Sequence, residues 1–287
     1  MYAITGITGQ VGGALARALL AARQPVRAVV RDLDKAREWA ALGCEIALAT
    51  LNDAAALTAA FHGAKGVFIL PPPEFDPAPG FPEVRAVIDA LTTAIERAQP
   101  GKIVSLSTIG AQATQTNLLT QHTLMEQALS KLRIPLTFLR PAWFMENFRW
   151  DVQQARDKGM IASFLQPLDR AVPMIATADV GRVAAELLQQ EWQGRRIVEL
   201  EATQRISPNE AAAVFAKVLG HPVKAEIVPR DIWADLFITQ GMKHPQPRIQ
   251  MLDGFNEGWI EFENPANTIK GEVSLETVVR ELIVKAA

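Results

Sequence analysis

Cysteine and tyrosine each occur once in the 287 residues, and histidine only four times. The lone Cys44 excludes an internal disulfide and fits a reducing compartment. Its setting, "GCEIALAT", reads as a strand carrying a buried, inert thiol. His62, His122, His221 and His244 are scattered without metal-ligand spacing, so no metal site is expected. Formal net charge is only −2 and no long basic run occurs. Neither nucleic acid nor an anionic membrane surface is an expected direct partner. No charged leader or long apolar run stands ahead of the first glycines. The expectation is therefore a cytoplasmic protein without a signal peptide or a membrane span.

What the chain does have is a hydrophobic content of 49%, enough for a substantial core. Short apolar strands alternate with amphipathic helices: "YAIT", "VRAVVR", "CEIALAT", "GVFIL", "KIVSLS" and "LTFLR" read as strands. That rhythm predicts an α/β fold, a Rossmann-like doubly wound parallel sheet covered on both faces. After Pro141 the rhythm changes. "AWFMENFRWDVQQARDKG" reads as one aromatic-bearing helix, "TADVGRVAAELLQQ" as another, and "RRIVELE" as a strand. "SPNEAAAVFAKVLG" has a serine cap, Pro208 in the first turn and Gly220 at the end. Residues 1–150 are expected to form a nucleotide-binding domain and 151–287 a smaller, helix-rich substrate-side part, with some segments packing back on the first.

The order strand, glycine-rich turn, helix at "YAITGITGQVGGALARALL" has a chemical use. A helix N-terminus offers unpaired N–H groups and a partial positive charge, which suit a pyrophosphate. Gly6 permits the tight turn, Gly9 removes a Cβ that would hold phosphate away, and Gly12 lets the helix pack closely on the strand. The cofactor-binding stretch is thus expected over Gly6, Ile7, Thr8, Gly9, Gln10, Val11 and Gly12. A tight turn with no ligand is the bland alternative. At the end of the second strand, Arg31 suits a 2′-phosphate, with Lys35 one turn on. Alternatively, Arg31 stacks over adenine and Asp32 holds the ribose of NAD(H). NADP(H) is expected ahead of NAD(H).

The pattern TGxxGxxG resembles that of extended and atypical short-chain dehydrogenases. "AITGITGQVG", "VVRDLDKA", "FHGAKGVFIL", "SLSTIGA", His122 four residues before Glu126, and "TFLRPAWFMENF" follow in the order seen in the NmrA-like family. The first 150 residues carry most of this resemblance, which includes bacterial NAD(P)H:quinone oxidoreductases and related redox sensors. It implies an NADPH-dependent oxidoreductase acting on a quinone-like small molecule. The alternative is a non-catalytic NAD(P) sensor acting through a regulatory protein partner; a homodimer is also open.

Short-chain dehydrogenases usually carry Tyr-x-x-x-Lys, whose Tyr is the general acid, but here the single tyrosine is Tyr2 in the first strand. The resemblance instead puts His122 and Glu126 on the catalytic helix, His122 facing the nicotinamide as a near-neutral proton donor or relay. The competing reading makes them an ordinary surface pair at i,i+4. Ser107 and Thr108 end the fifth strand and either bond ligand or cap the loop. Leu70 and Pro71, opening "LPPP" at residues 70–73, flank the adenosine side or merely stiffen a loop. Pro141, Trp143 and Phe144 form an aromatic wall by nicotinamide or belong to the core. Trp233, Phe237 and "MLDGFNEGW" line the substrate cleft or pack helices.

Overall fold

A computed structural model describes residues 1–72 and 74–286. Pro73, the last residue of "LPPP", and Ala287 lie outside the described residues. The first half alternates without interruption. β1 (Tyr2–Ile4) leads to α1 (Gln10–Ala21), β2 (Val26–Val30) to α2 (Arg37–Ala41), and β3 (Glu45–Leu48) to α3 (Ala54–Phe61). β4 (Gly66–Ile69), α4 (Pro82–Ala98), β5 (Ile103–Leu106), α5 (Thr120–Leu129) and β6 (Leu136–Pro141) follow. β1, β4, β5 and β6 are buried along their whole length. That is why they read as continuous apolar runs: both faces are covered by helices.

The second half is more broken. β7 (Trp143–Phe144), α6 (Val152–Lys158), β8 (Met160–Ser163), β9 (Met174–Ile175), α7 (Thr177–Gln189) and β10 (Arg195–Ala202) come first. α8 (Pro208–Leu219), β11 (Lys224–Ile227), α9 (Trp233–Thr239), α10 (Gln246–Glu257), β12 (Ile269–Gly271) and α11 (Leu275–Lys285) complete the chain. α8 starts with a capping box: Ser207 accepts from the Glu210 amide and the Glu210 carboxylate from the Ser207 amide.

The main sheet runs β12-β10-β6-β5-β4-β1-β2-β3, with every neighbouring pair parallel. Its β3-β2-β1-β4-β5-β6 portion is the doubly wound dinucleotide order, with the switch point between β1 and β4. Chain past residue 150 adds β10 and β12 to this same sheet. It also lays α7 on α1, where a Cβ on Gly181 would come within 2.5 Å of the Ala14 Cβ.

One expected helix does not form as a unit. In "AWFMENFRWDVQQARDKG", Trp143 and Phe144 pair in parallel with Met174 and Ile175, and Met145–Trp150 make 3₁₀ turns before α6 begins. The aromatics explain the break. Trp143 packs edge-on to Phe255 at 5.0 Å and Phe148 to Phe215 at 6.0 Å, so they point to different neighbours and share no helical stripe. Only Val152 and Ala155 supply that stripe. Among the described residues no helix is long and apolar enough to cross a membrane.

Candidate active site

The turn after β1 is built almost wholly from backbone. Gly6 has φ +63°, where a side chain is strained, and its carbonyl accepts the Gly9 amide at 3.0 Å. A Cβ on Gly12 would lie 2.3 Å from the Gly6 carbonyl oxygen and 2.7 Å from its carbon. Gly12 therefore packs against the turn itself, one step ahead of the strand it was expected to meet. Gly9 is extended, and its missing Cβ would lie 3.3 Å from the same oxygen. Ile7 and Val11 are buried in the core and anchor the turn from beneath, leaving Thr8, Gly9 and Gln10 exposed. α1 starts at Gln10 with no side-chain cap and no acidic residue in its first turn. Its first amides are thus left for an anion, and the bare Gly9 allows it close. These residues fit a dinucleotide pyrophosphate.

Thr5 ties this turn to the next strand. Its hydroxyl donates to the Phe68 carbonyl at 3.1 Å and accepts the Leu70 amide at 2.8 Å. Leu70 lies so close above Gly6 that an added Cβ there would meet it at 3.1 Å. Leu70 and the half-buried Pro71 thus face the glycine turn across the switch point. Arg31 and Lys35 are exposed beyond β2, with no hydrogen-bond or ion-pair partner among the described residues. Asp32 is less available: its carboxylate accepts the Asp34 amide at 2.9 Å in a local turn. That leaves the arginine the freer group for a ribose phosphate.

On α5, Glu126 is not part of a solvated surface pair. It is buried; Arg140, itself only 3% exposed, donates to both carboxylate oxygens at 2.9 and 2.7 Å, and the Ser107 hydroxyl donates at 2.5 Å. Arg140 also donates to Gln112 at 3.2 Å and Glu263 at 2.8 Å. With its oxygens so engaged, Glu126 fixes α5 against the ends of β5 and β6. Ser107 likewise spends its proton on Glu126.

His122 is half-buried, and its buried Nδ1 has no hydrogen-bond partner among the described residues. Burial pulls its pKa down to about 4, against the Glu126 charge and the Leu106 carbonyl, which favour the protonated ring. The ring is therefore neutral near neutral pH, which disfavours direct proton donation there and leaves the relay and hydrogen-bonding roles open. It lines a cavity of about 80 Å³ with Pro71, Glu74, Gln121 and Met125. Tyr2 is 1% exposed in the core and cannot replace the absent acid.

Pro141 is buried at the end of β6, where its carbonyl accepts the Ile109 amide at 2.9 Å. Phe144 and Trp143 are half-buried beyond it. Trp143 also joins a separate cluster of Trp233, Phe237, Ile249 and Leu252 with Phe164 at its edge. Two clasps hold this cluster over the sheet. Asp76, in the loop after β4, accepts the Lys243 and His244 amides at 2.8 and 2.6 Å. Leu118, ahead of α5, donates to the Pro247 carbonyl at 2.8 Å.

The residues that sequence reasoning missed are Thr5, Asp76, Arg140 and Glu263. Arg140 alone carried a signal: a charge inside "LTFLRP", a strand buried on both faces, has to be paired. The Thr5 and Asp76 bonds span 63 and 168 residues and left no local trace.

Against known proteins, residues 2–263 match the model of the NmrA-like family. An NAD(P)H azoreductase of Xenophilus azovorans is 31% identical over 227 residues, 78% of this chain and 76% of that protein. Quinone oxidoreductase 2 of Escherichia coli K12 is 27% identical over 225 residues, with the same coverages of 78% and 76%. Among solved structures, an Escherichia coli NADPH-dependent quinone oxidoreductase complexed with NADPH superposes with a TM-score of 0.82. Its identity is 23%, and the match covers 98% of this chain and 99% of that one. The Citrobacter triphenylmethane reductase complexed with NADP(H) gives 0.81 at 22% identity, with the same coverages of 98% and 99%. The chain belongs to the NmrA-like family.

Proposed function

We propose that this protein is an NAD(P)H-dependent oxidoreductase that takes NADPH ahead of NADH and reduces a quinone or a similarly flat small electrophile. The observation that carries the reading is the open phosphate cradle at the switch point: uncapped α1 amides, bare Gly9 and Gly12, and the unpartnered Arg31. The names of the relatives, an NAD(P)H azoreductase and a quinone oxidoreductase, support the same class.

When bound, the reduced nicotinamide supplies hydride; the chain's residues supply position. Backbone N–H groups of residues 10–12 would take the pyrophosphate, and Arg31 with Lys35 the 2′-phosphate. Leu70, Pro71, Ser107, Pro141 and Phe144 border the path from the glycine turn to the nicotinamide end. His122, neutral at working pH, would hold a substrate oxygen by one hydrogen bond from its ring. Glu126 and Arg140 keep the helix under His122 in register with β5 and β6. A quinol's oxygens can be protonated through water, so the missing tyrosine does not bar this reaction.

The test is NADPH consumption across a quinone panel, beside direct cofactor titration. NADPH should bind and be consumed with quinone. His122→Asn should lower kcat about tenfold, the scale of one lost hydrogen bond, with NADPH affinity unchanged. The wild-type kcat should show no inflection near pH 6.5, where an ordinary histidine titrates. Tight NADPH binding without turnover of any quinone would overturn the reading in favour of a redox sensor.

A further inference from the structure

Six arginines are withdrawn from water in this protein among the described residues: Arg27, Arg140, Arg182, Arg196, Arg205 and Arg248. Five of them have oxygen partners. Arg27 meets Glu45 at 2.6 Å, Arg140 meets Glu126, Arg182 meets Asp179 at 3.2 Å, and Arg205 meets Glu261 at 2.6 Å. Arg196 has no carboxylate but donates to the Thr137 hydroxyl and the Gln190 side chain, both at 2.9 Å. Arg248 is different. Its one hydrogen bond among the described residues is to the Met242 sulfur, at 3.8 Å. Its guanidinium lies 4.3 Å from the centre of the Phe237 ring and 6.0 Å from that of Phe164.

An arginine held by aromatic faces keeps its charge and its fork of donors while losing much of its water. Burial here pulls the guanidinium below the usual arginine range, with no nearby charge to offset the cost. The carboxylate on its own helix, Asp253, is bound by both prongs of Arg230 at 2.7 Å each. A partly desolvated cation with unspent donors is costly to maintain in the free protein and strong when an anion arrives.

Its place in the fold limits what that anion can be. Arg248 lies in the first turn of α10, immediately after Pro247, which receives the Leu118 amide from the start of the His122 helix. The rings under it belong to the cluster that Trp143 joins to the carboxyl end of β6. We propose that Arg248, stacked on Phe237 and Phe164, is a binding subsite for a carboxylate or sulfonate carried by a flat aromatic substrate. The subsite favours such substrates over neutral ones of the same shape. This inference rests on reading the cleft as a substrate site, and it names the class of substrate the cleft prefers.

The test uses two ligands of one shape, naphthalene-2-sulfonate and the neutral naphthalene-2-sulfonamide. Each is titrated calorimetrically into the full chain with NADP⁺ present and absent. Wild type should bind the sulfonate more tightly than the sulfonamide. Arg248→Met, which keeps the stem packed on Phe237, should weaken the sulfonate about ten- to hundredfold, the range for a lost charge-assisted hydrogen bond. The sulfonamide should change by less than about twofold, and Arg248→Lys should restore part of the preference. Equal affinity of wild type for both ligands, or equal losses of both in the variant, would overturn the proposal. So would a variant that loses NADPH affinity instead, because the charge would then serve a cofactor phosphate. Neither ligand is reduced, so a retained sulfonate preference in a protein that turns over no quinone would defeat the oxidoreductase reading and leave the subsite standing.

Discussion

At the proposed cofactor end of the cleft, seven consecutive residues, Gly6 to Gly12, offer mainly backbone, and Ile7 and Val11 anchor the turn in the core. At the proposed substrate end, Trp143, Phe164, Phe237 and the α10 residues Arg248 and Phe255 come from four segments and meet only in the fold. The glycine turn tolerates no added atom at Gly12, where the gap to the Gly6 oxygen would be 2.3 Å. The substrate end hangs instead on the Asp76 side-chain clasp, the Leu118–Pro247 backbone bond and packed rings, and its side chains can be exchanged singly. Such a division lets one cofactor site serve many substrates, because the two ends share few residues.

The pairing that joins the two ends is the one whose loss costs most. Arg140→Met leaves Glu126 as a buried, unpaired charge and frees Glu263, and urea unfolding should show a loss of about 3–5 kcal/mol. Arg140→Met with Glu126→Gln should recover a large part of it. A loss under about 1 kcal/mol, the value of an exposed pair, would mean that the two ends are not joined through this ion pair.

Next in size is an acid effect confined to the substrate end. His122 has its pKa lowered from 6.5 to about 4. The unfolded chain therefore binds the proton first, and stability falls as pH drops from about 6.5 through about 4. The cost is at most about 3 kcal/mol, less the share screened by solvent around the half-exposed ring. Asp151 runs the other way: burial pushes it up to about 7, so its contribution is lost as pH rises toward that value. The informative quantity is thus the difference between wild type and His122→Asn in melting temperature against pH. The variant should lose less stability on acidification, and parallel curves would contradict the assignment.

Two substitutions at the cofactor end sharpen the comparison. Gly12→Ala should cost about 1–3 kcal/mol in stability, the range for overpacking, and weaken both NADPH and NADH. Phe164→Leu, at the other end, should leave both cofactor affinities in place. Arg31→Ala should weaken NADPH by about 1–3 kcal/mol and NADH much less. Equal losses of the two cofactors would show that Arg31 stacks on adenine and does not read the 2′-phosphate.

The same contrast governs what could be read from the chain before folding. The sheet was legible because β1, β4, β5 and β6 are mainly apolar runs buried on both faces, and the glycine turn because Gly6, Gly9 and Gly12 fall within seven residues. His122 and Glu126 were legible as a pair, but their roles were not. Glu126 is defined by Arg140, 14 residues on in the next element, and His122 by the desolvation that surrounds it. The helix expected at "AWFMENFRWDVQQARDKG" failed because its aromatics take directions set by Phe255, Phe215 and the Met174–Ile175 strand. Arg248 gave no signal, since an arginine near a helix start is ordinary until its lack of an oxygen partner is seen.

The most direct measurement of the central claim is a crystal structure of the protein grown with NADPH. The account predicts the pyrophosphate on the α1 amides over Gly9 and Gly12, the 2′-phosphate within hydrogen-bond reach of Arg31, and the nicotinamide beside His122 with its free face toward the Trp143 and Phe237 cluster. A pyrophosphate bound away from the Gly6–Gly12 turn, or a nicotinamide on the side of the sheet opposite His122, would contradict it.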